Sequence, residues 1–225
     1  MPSLGSVLAA PQSPGYVDDN DPAIPLQGDF TIEDYLGYES PSNQAAVAST
    51  LRRAGFMGGF AHTWMDSGSS HLLLEVVMAF SGGWGAADWL KASEKADKAD
   101  IHYVHPISVS GLDRYYGWHS AAPGNPEYAD LVAFVKGNDY FIVIADSIAD
   151  DLGNIAVAQS ENQFRAAPPY TIPPTQWPEN RRSLAAYFAI LAPVIAALDG
   201  VVLAGLGVTG LILWQRSRRP RRSAK

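Results

Sequence analysis

Five histidines crowd into a little over a quarter of the chain, at His62, His71, His102, His105 and His119. Imidazole is the commonest protein ligand for metals, and H102-Y-V-H105 is the nearest pair. That stretch is strand-like, and residues three apart on a strand face opposite sides, so His102 and His105 do not converge on one ion. The histidines read as strand-end or surface side chains, and neither a metal nor a cofactor is expected. D66-S-G-S-S-H71 gathers an acid, hydroxyls and an imidazole, but triads are assembled across a fold rather than inside one turn. Ser108, Ser110 and Asp113 lack the same context. G82-G-W-G85 could open a phosphate-binding helix N-terminus, yet it has neither the Lys–Ser/Thr of a P-loop nor the spacing G-x-G-x-x-G. It reads as a strand-to-helix turn. No catalytic residue is expected, and the chain reads as non-enzymatic.

Aromatics are the remaining candidates for recognition. Phe60, Trp64, Trp84, Trp89 and Trp118 could line a ligand groove, with core packing as the default alternative. Y115-Y-G-W-H119 is the best candidate for an exposed recognition edge, carried by Tyr115, Tyr116 and Trp118.

These residues must be positioned by a chain of 225 residues, enough for one ordinary domain and accessory segments. It contains no cysteine, which excludes disulfides, thiol nucleophiles and Cys-based metal sites. The net charge of −7 is unevenly spread: residues 1–180 hold 8 Lys/Arg against 22 Asp/Glu, while the last eleven residues hold six basic groups and no acid. An acidic body argues against nucleic acid as a partner.

S42-N-Q-A-A-V-A-S-T-L-R-R-A-G55 has an N-cap and a closing glycine and predicts a helix. G59-F-A-H-T-W-M-D66 and H71-L-L-L-E-V-V-M-A-F80 predict two strands joined by a turn. W84 to Ala96 predicts an amphipathic helix. Y103-V-H-P-I-S-V-S110 predicts a strand with an edge or bulge at Pro106, and Tyr115–His119 another short one. L131-V-A-F-V-K-G-N-D-Y-F-I-V-I-A145 predicts a hairpin about K-G-N-D, and Asp150–Arg165 a last helix with acids in its first turn. Consecutive hairpins with interspersed helices give an α+β class: an antiparallel sheet with flanking helices over residues 30–166.

The order of these elements, the G-A-x-x-W-L helix at Gly85–Leu90, the strand Gly137–Val143 and a closing helix with a late Gln resemble exported actinobacterial proteins with a Mog1/PsbP-like α/β/α sandwich, the LpqN-type lipoproteins. The resemblance implies a non-catalytic cell-envelope binding module and supplies no site residues. The chain departs from those proteins in having no cysteine for lipid attachment.

Residues 1–29 are Pro-rich and acidic and are expected to be disordered. M-P-S-L-G-S-V-L-A-A-P has no basic start and too short an apolar patch for an export signal, which points to a start further upstream. A166-A-P-P-Y-T-I-P-P-T-Q-W-P-E-N-R-R182 carries five prolines, so 167–183 is expected to be a semi-rigid spacer up to roughly 45 Å long. I172-P-P-T-Q176 departs from a wall-sorting signal at both ends and is not read as one.

From 184 to 214 the chain runs 31 residues with one charged side chain, Asp199. A bilayer core needs about 20, so one C-terminal transmembrane helix is expected. Trp214 and the following arginines place the 215–225 tail in the cytoplasm and the domain outside the plasma membrane. Asp199 lies either near the headgroups or against a partner, since an acid in hydrocarbon costs a few kcal/mol unless paired or wet. Ala192, Ala196, Gly200 and Ala204 form a small-residue stripe beside it, which suits a transmembrane partner helix or a homodimer. The expected function is that of a single-pass membrane protein whose exported domain binds a protein or envelope ligand. A metal- or haem-binding sensor and an envelope hydrolase are the rival readings.

Overall fold

The computed structural model describes residues 3–13, 15–19, 26–37, 39–121, 127–149 and 151–181. Their fold is mixed α+β, an antiparallel sheet flanked by helices. The strands are β1 (Tyr16–Asp18), β2 (Gly28–Phe30), β3 (Phe56–Asp66), β4 (His71–Phe80), β5 (Tyr103–Pro106), β6 (Tyr115–Ala121), β7 (Tyr128–Lys136) and β8 (Asp139–Ser147). They run in the order β1-β3-β4-β8-β7-β6-β5, with β2 also pairing along β3. The helices are α1 (Ile32–Leu36), α2 (Gln44–Ala54), α3 (Gly83–Asp97), α4 (Gly153–Ala166) and the single turn α5 (Pro178–Arg181).

Both sheet faces are covered, which is why β4 and β8 read as nearly unbroken apolar runs. Alternate residues go to opposite faces. Leu72, Leu74, Val76, Met78 and Phe80 join Tyr140, Ile142 and Ile144 against α2 and α3, through Leu51, Trp89 and Leu90. Leu73, Val77, Phe141 and Val143 join Phe134 against Ala156 of α4. The exception on that second face is Glu75, fully buried beneath α4. α2 stops where Gly55 takes φ +79, a left-handed conformation that suits glycine.

Residues 3–13 and 15–19, expected to be disordered, are packed against the domain instead. Leu4 and Val7 are buried in the second core, and β1 pairs with β3 from Tyr16↔Asp66 to Asp18↔Trp64. Side chains of α4 hold the backbone between: Gln163 donates to the Val7 carbonyl and accepts from the Ala9 amide, Gln159 donates to the Ala9 carbonyl, and Asn162 donates to the Ala10 carbonyl. Composition misleads here because a polar, proline-containing strand can be satisfied by amide side chains as well as by water.

The proline-rich spacer differs as well. Residues 167–181 form a strap fastened to the domain rather than a free stalk. Thr171 is 5% exposed; its amide donates to Asn138 Oδ1 at 3.0 Å and its hydroxyl donates to Asp139. The Ile172 amide also donates to Asn138, and Trp177 donates to the Ile172 carbonyl at 2.7 Å. Lys136 donates to the carbonyls of Phe164 and Ala167, placing a cation at the C-terminus of α4 where the helix dipole favours it.

Among the described residues no helix is long and apolar enough to cross a membrane. The run 184–214 and the 215–225 tail, with Ala196, Asp199, Gly200 and Ala204, lie outside the described residues.

Candidate functional site

The expected recognition edge is not one. Tyr116 is 7% and Trp118 1% exposed, because even-numbered residues of β6 point into the first core. Trp118 stacks on Tyr103 with centroids 5.6 Å apart. The Tyr116 hydroxyl donates to Asp97 at 2.6 Å. Burial pushes the Asp97 carboxyl up to about 8, against the lowering effect of that bond. Tyr115 faces the other side, where its hydroxyl accepts from the Val109 amide at 3.1 Å. Of the other aromatics, Trp64 and Trp89 are buried and Trp84 is exposed.

The glycine turn before α3 has its helix N-terminus filled from within the chain. Glu179, on the strap, accepts from the Trp84 amide at 3.0 Å, so the position where a phosphate would sit holds a carboxylate. Asp66 is likewise taken up by its own turn, accepting from the Gly68 amide at 3.0 Å.

His102 and His105 take different partners. His102 pairs with buried Asp100 at 2.7 Å. His62 pairs with Asp18 at 3.0 Å. The convergence lies across strands, between His105 and His119. Register places His105 directly opposite His119, and the β5–β6 ladder shifts between Tyr103 and His105. Such a bulge re-aims the residues that follow it. Tyr103 faces the first core against Trp118, while His105 lies on the His119 side, their rings 4.9 Å apart and 11° from parallel.

Three more residues complete the arrangement. His119, 6% exposed, is held by Asp130 on β7, whose Oδ1 lies 2.7 Å from His119 Nδ1. Asp130 is itself 1% exposed and also accepts from the Leu152 amide at 2.7 Å. Tyr128 stacks on His119 at 5.6 Å. Asp151, just before α4, brings a carboxylate so that the ligand atoms of His105, His119 and Asp151 all lie within 4.8 Å of one another. Burial raises the Asp130 carboxyl above the usual range, and the bonds from His119 and Leu152 oppose that rise.

Tautomers follow from the partners. The Asp130 carboxylate accepts from His119 Nδ1–H, and the Pro106 carbonyl, 3.2 Å from His105 Nδ1, can only accept. Each ring therefore turns a lone pair outward on Nε2. A His–Asp pair of this kind also serves as the base of a hydrolase, but among the described residues no hydrogen bond joins His119 to a serine or threonine hydroxyl, and its ring stacks on those of His105 and Tyr128 instead.

No family model, a Mog1/PsbP-like one included, matches the chain, and no curated protein matches it. Among solved structures it is similar to the extracellular domain of PknH from Mycobacterium tuberculosis, at 11% identity and a TM-score of 0.42, over 72% of this chain and 95% of that one.

Proposed function

We propose that the protein is a single-pass membrane protein of the cell envelope whose α+β domain lies outside the plasma membrane as a non-catalytic binding and assembly module. The observation that carries this reading is the 184–214 run, 31 residues with one charge, followed by an arginine-rich tail. A span of that length with basic residues behind it favours a cytoplasmic C-terminus.

The strap changes how the domain would be presented. From Thr171 to Glu179 the chain is tied to the body, and only three steps separate Arg181 from residue 184, at most about 11 Å of extended chain. The domain therefore rests nearer the membrane than a free 167–183 spacer of roughly 45 Å would hold it. Two exposed aromatics support that geometry. Trp84 is 49% and Tyr170 41% exposed. Tyr170 belongs to the strap, with its backbone against Gly137, and the Trp84 amide bonds to Glu179 of the strap, so both residues sit beside it. Amphipathic rings are favoured at headgroup depth. In this reading Asp199 and the stripe of Ala196, Gly200 and Ala204 are the contact for a partner helix or a second copy within the bilayer.

The test is recovery of the full-length protein from cross-linked native membranes, beside Asp199→Leu. A specific partner recovered with the natural chain supports an assembly module, and its loss from the variant assigns the contact to the span. A chain that is absent from the membrane fraction, or that is recovered alone in both forms, overturns the reading.

A further inference from the structure

The geometry points to a divalent transition-metal site built from His105, His119 and Asp151, taking a cation of the zinc, cobalt or nickel class. It stands independently of the membrane reading, since every group belongs to the folded domain.

Two imidazoles and a carboxylate are a ligand set that zinc accepts, with bonds of about 2.0–2.2 Å and a fourth position left for water or a partner's side chain. Around a tetrahedral ion such bonds place the donors about 3.3 Å apart. The donors here lie within 4.8 Å, so closure asks for a shift of about 1.5 Å or less at the widest pair, together with a turn of the exposed His105 ring out of its parallel stack on His119 so that both in-plane lone pairs meet one ion. The two residues that must move are the exposed ones, His105 and Asp151, while buried His119 stays fixed.

Three features separate this cluster from a chance meeting of surface groups. First, the ligands come from three elements, β5, β6 and the segment before α4, and the β5 ladder shift is what turns His105 toward His119. Second, both histidines direct Nδ1 to an acceptor, Asp130 or the Pro106 carbonyl, leaving Nε2 of each for a metal. Third, His119 is backed by a buried carboxylate that is itself held by the Leu152 amide. A carboxylate on the far nitrogen of a ligating histidine fixes its tautomer and raises its basicity. The surrounding acidic domain adds a favourable field for a cation. Metal binding would tie the edge strand β5 to the start of α4.

The experiment uses the full-length chain in detergent, without a polyhistidine tag, stripped with chelator and titrated with Co(II) and then Zn(II). The expected result is one equivalent of Co(II) with a visible tetrahedral absorption band, displaced by Zn(II), and a rise in thermal midpoint. His105→Ala and Asp151→Asn change exposed residues and keep the fold; each should abolish the band. Asp130→Asn should keep the stoichiometry and weaken affinity 10–100-fold, the usual worth of a supporting carboxylate. His102→Ala should bind as the natural chain does. The proposal is overturned if the natural chain takes up no saturable equivalent, if His105→Ala and Asp151→Asn bind unchanged, or if His102→Ala loses as much as they do.

Discussion

Replacing Glu75 by glutamine should flatten the pH dependence of stability. Glu75 lies on β4 under α4, fully buried. Its Oε1 accepts from Gln159 Nε2 at 2.5 Å, and its Oε2 meets no hydrogen-bond partner among the described residues. Burial pushes the carboxyl up to about 8, outweighing the Gln159 bond and the Ala9 amide, which act downward. In the unfolded chain the same group titrates near its ordinary value of 4.5. A folded-state pKa above the unfolded one means that the stabilising contribution is complete below pH 4.5 and is lost as pH rises toward and through 8. Between pH 5 and pH 9 the difference integrates to about three pKa units, or about 4 kcal/mol. For a chain of this size that corresponds to roughly 10 °C in thermal midpoint. Glutamine keeps the shape and cannot ionise, so Glu75→Gln should remove that part of the slope and be the more stable form at pH 9. The assay is near-ultraviolet circular dichroism of the buried tryptophans during melting, for both proteins at pH 5, 7 and 9. Parallel pH slopes would show instead that Glu75 does not change its ionisation on folding.

Other outcomes follow from the same geometry. Thr171→Val leaves Asp139 without its hydroxyl donor and should cost about 1–3 kcal/mol, seen as protease cleavage within 167–181. Asp139 is itself raised to about 6, mainly by burial, so its contribution is lost as pH rises through 6 and the strap should be cut more readily at pH 8 than at pH 5. Trp118→Ala should destabilise by about 3–5 kcal/mol in a melt, as expected of a core residue; a variant of unchanged stability would restore the recognition edge. Glu179→Ala removes the carboxylate at the N-terminus of α3 and should cost about 1 kcal/mol, with faster amide exchange in the first turn.

The main elements were legible in the sequence where pattern and turn chemistry agreed. The hairpin about Gly137-Asn138 is one such place, with Lys136 opposite Asp139 as the K-G-N-D turn requires. The helix closed by Gly55 is another. The start of α4 was placed too early, because Asp151 precedes the helix and belongs to the histidine cluster. Y115-Y-G-W-H119 is no exposed edge because β6 lies between β7 and β5 and its residues 116–120 are all buried, a position that no pattern within the stretch reveals. The pairing of His105 with His119 depends on a ladder shift between two strands, which no periodicity within either strand reveals. The cross-strand neighbours of each histidine, rather than its neighbours along the chain, carried that signal. The strap was hidden for a similar reason: proline content describes local stiffness, while its attachment depends on Asn138 and Asp139, more than thirty residues earlier.

The proposed topology, a domain outside the membrane with its tail inside, can be measured directly because the chain has no cysteine of its own. Ser110→Cys places one thiol on the exposed surface of the domain, and Ser223→Cys places one in the basic tail. Intact cells are treated with a membrane-impermeant maleimide, and labelling is compared with that of permeabilised cells. Ser110→Cys should be labelled in intact cells and Ser223→Cys only after permeabilisation. Labelling of Ser110→Cys only after permeabilisation would put the domain in the cytoplasm and contradict that topology.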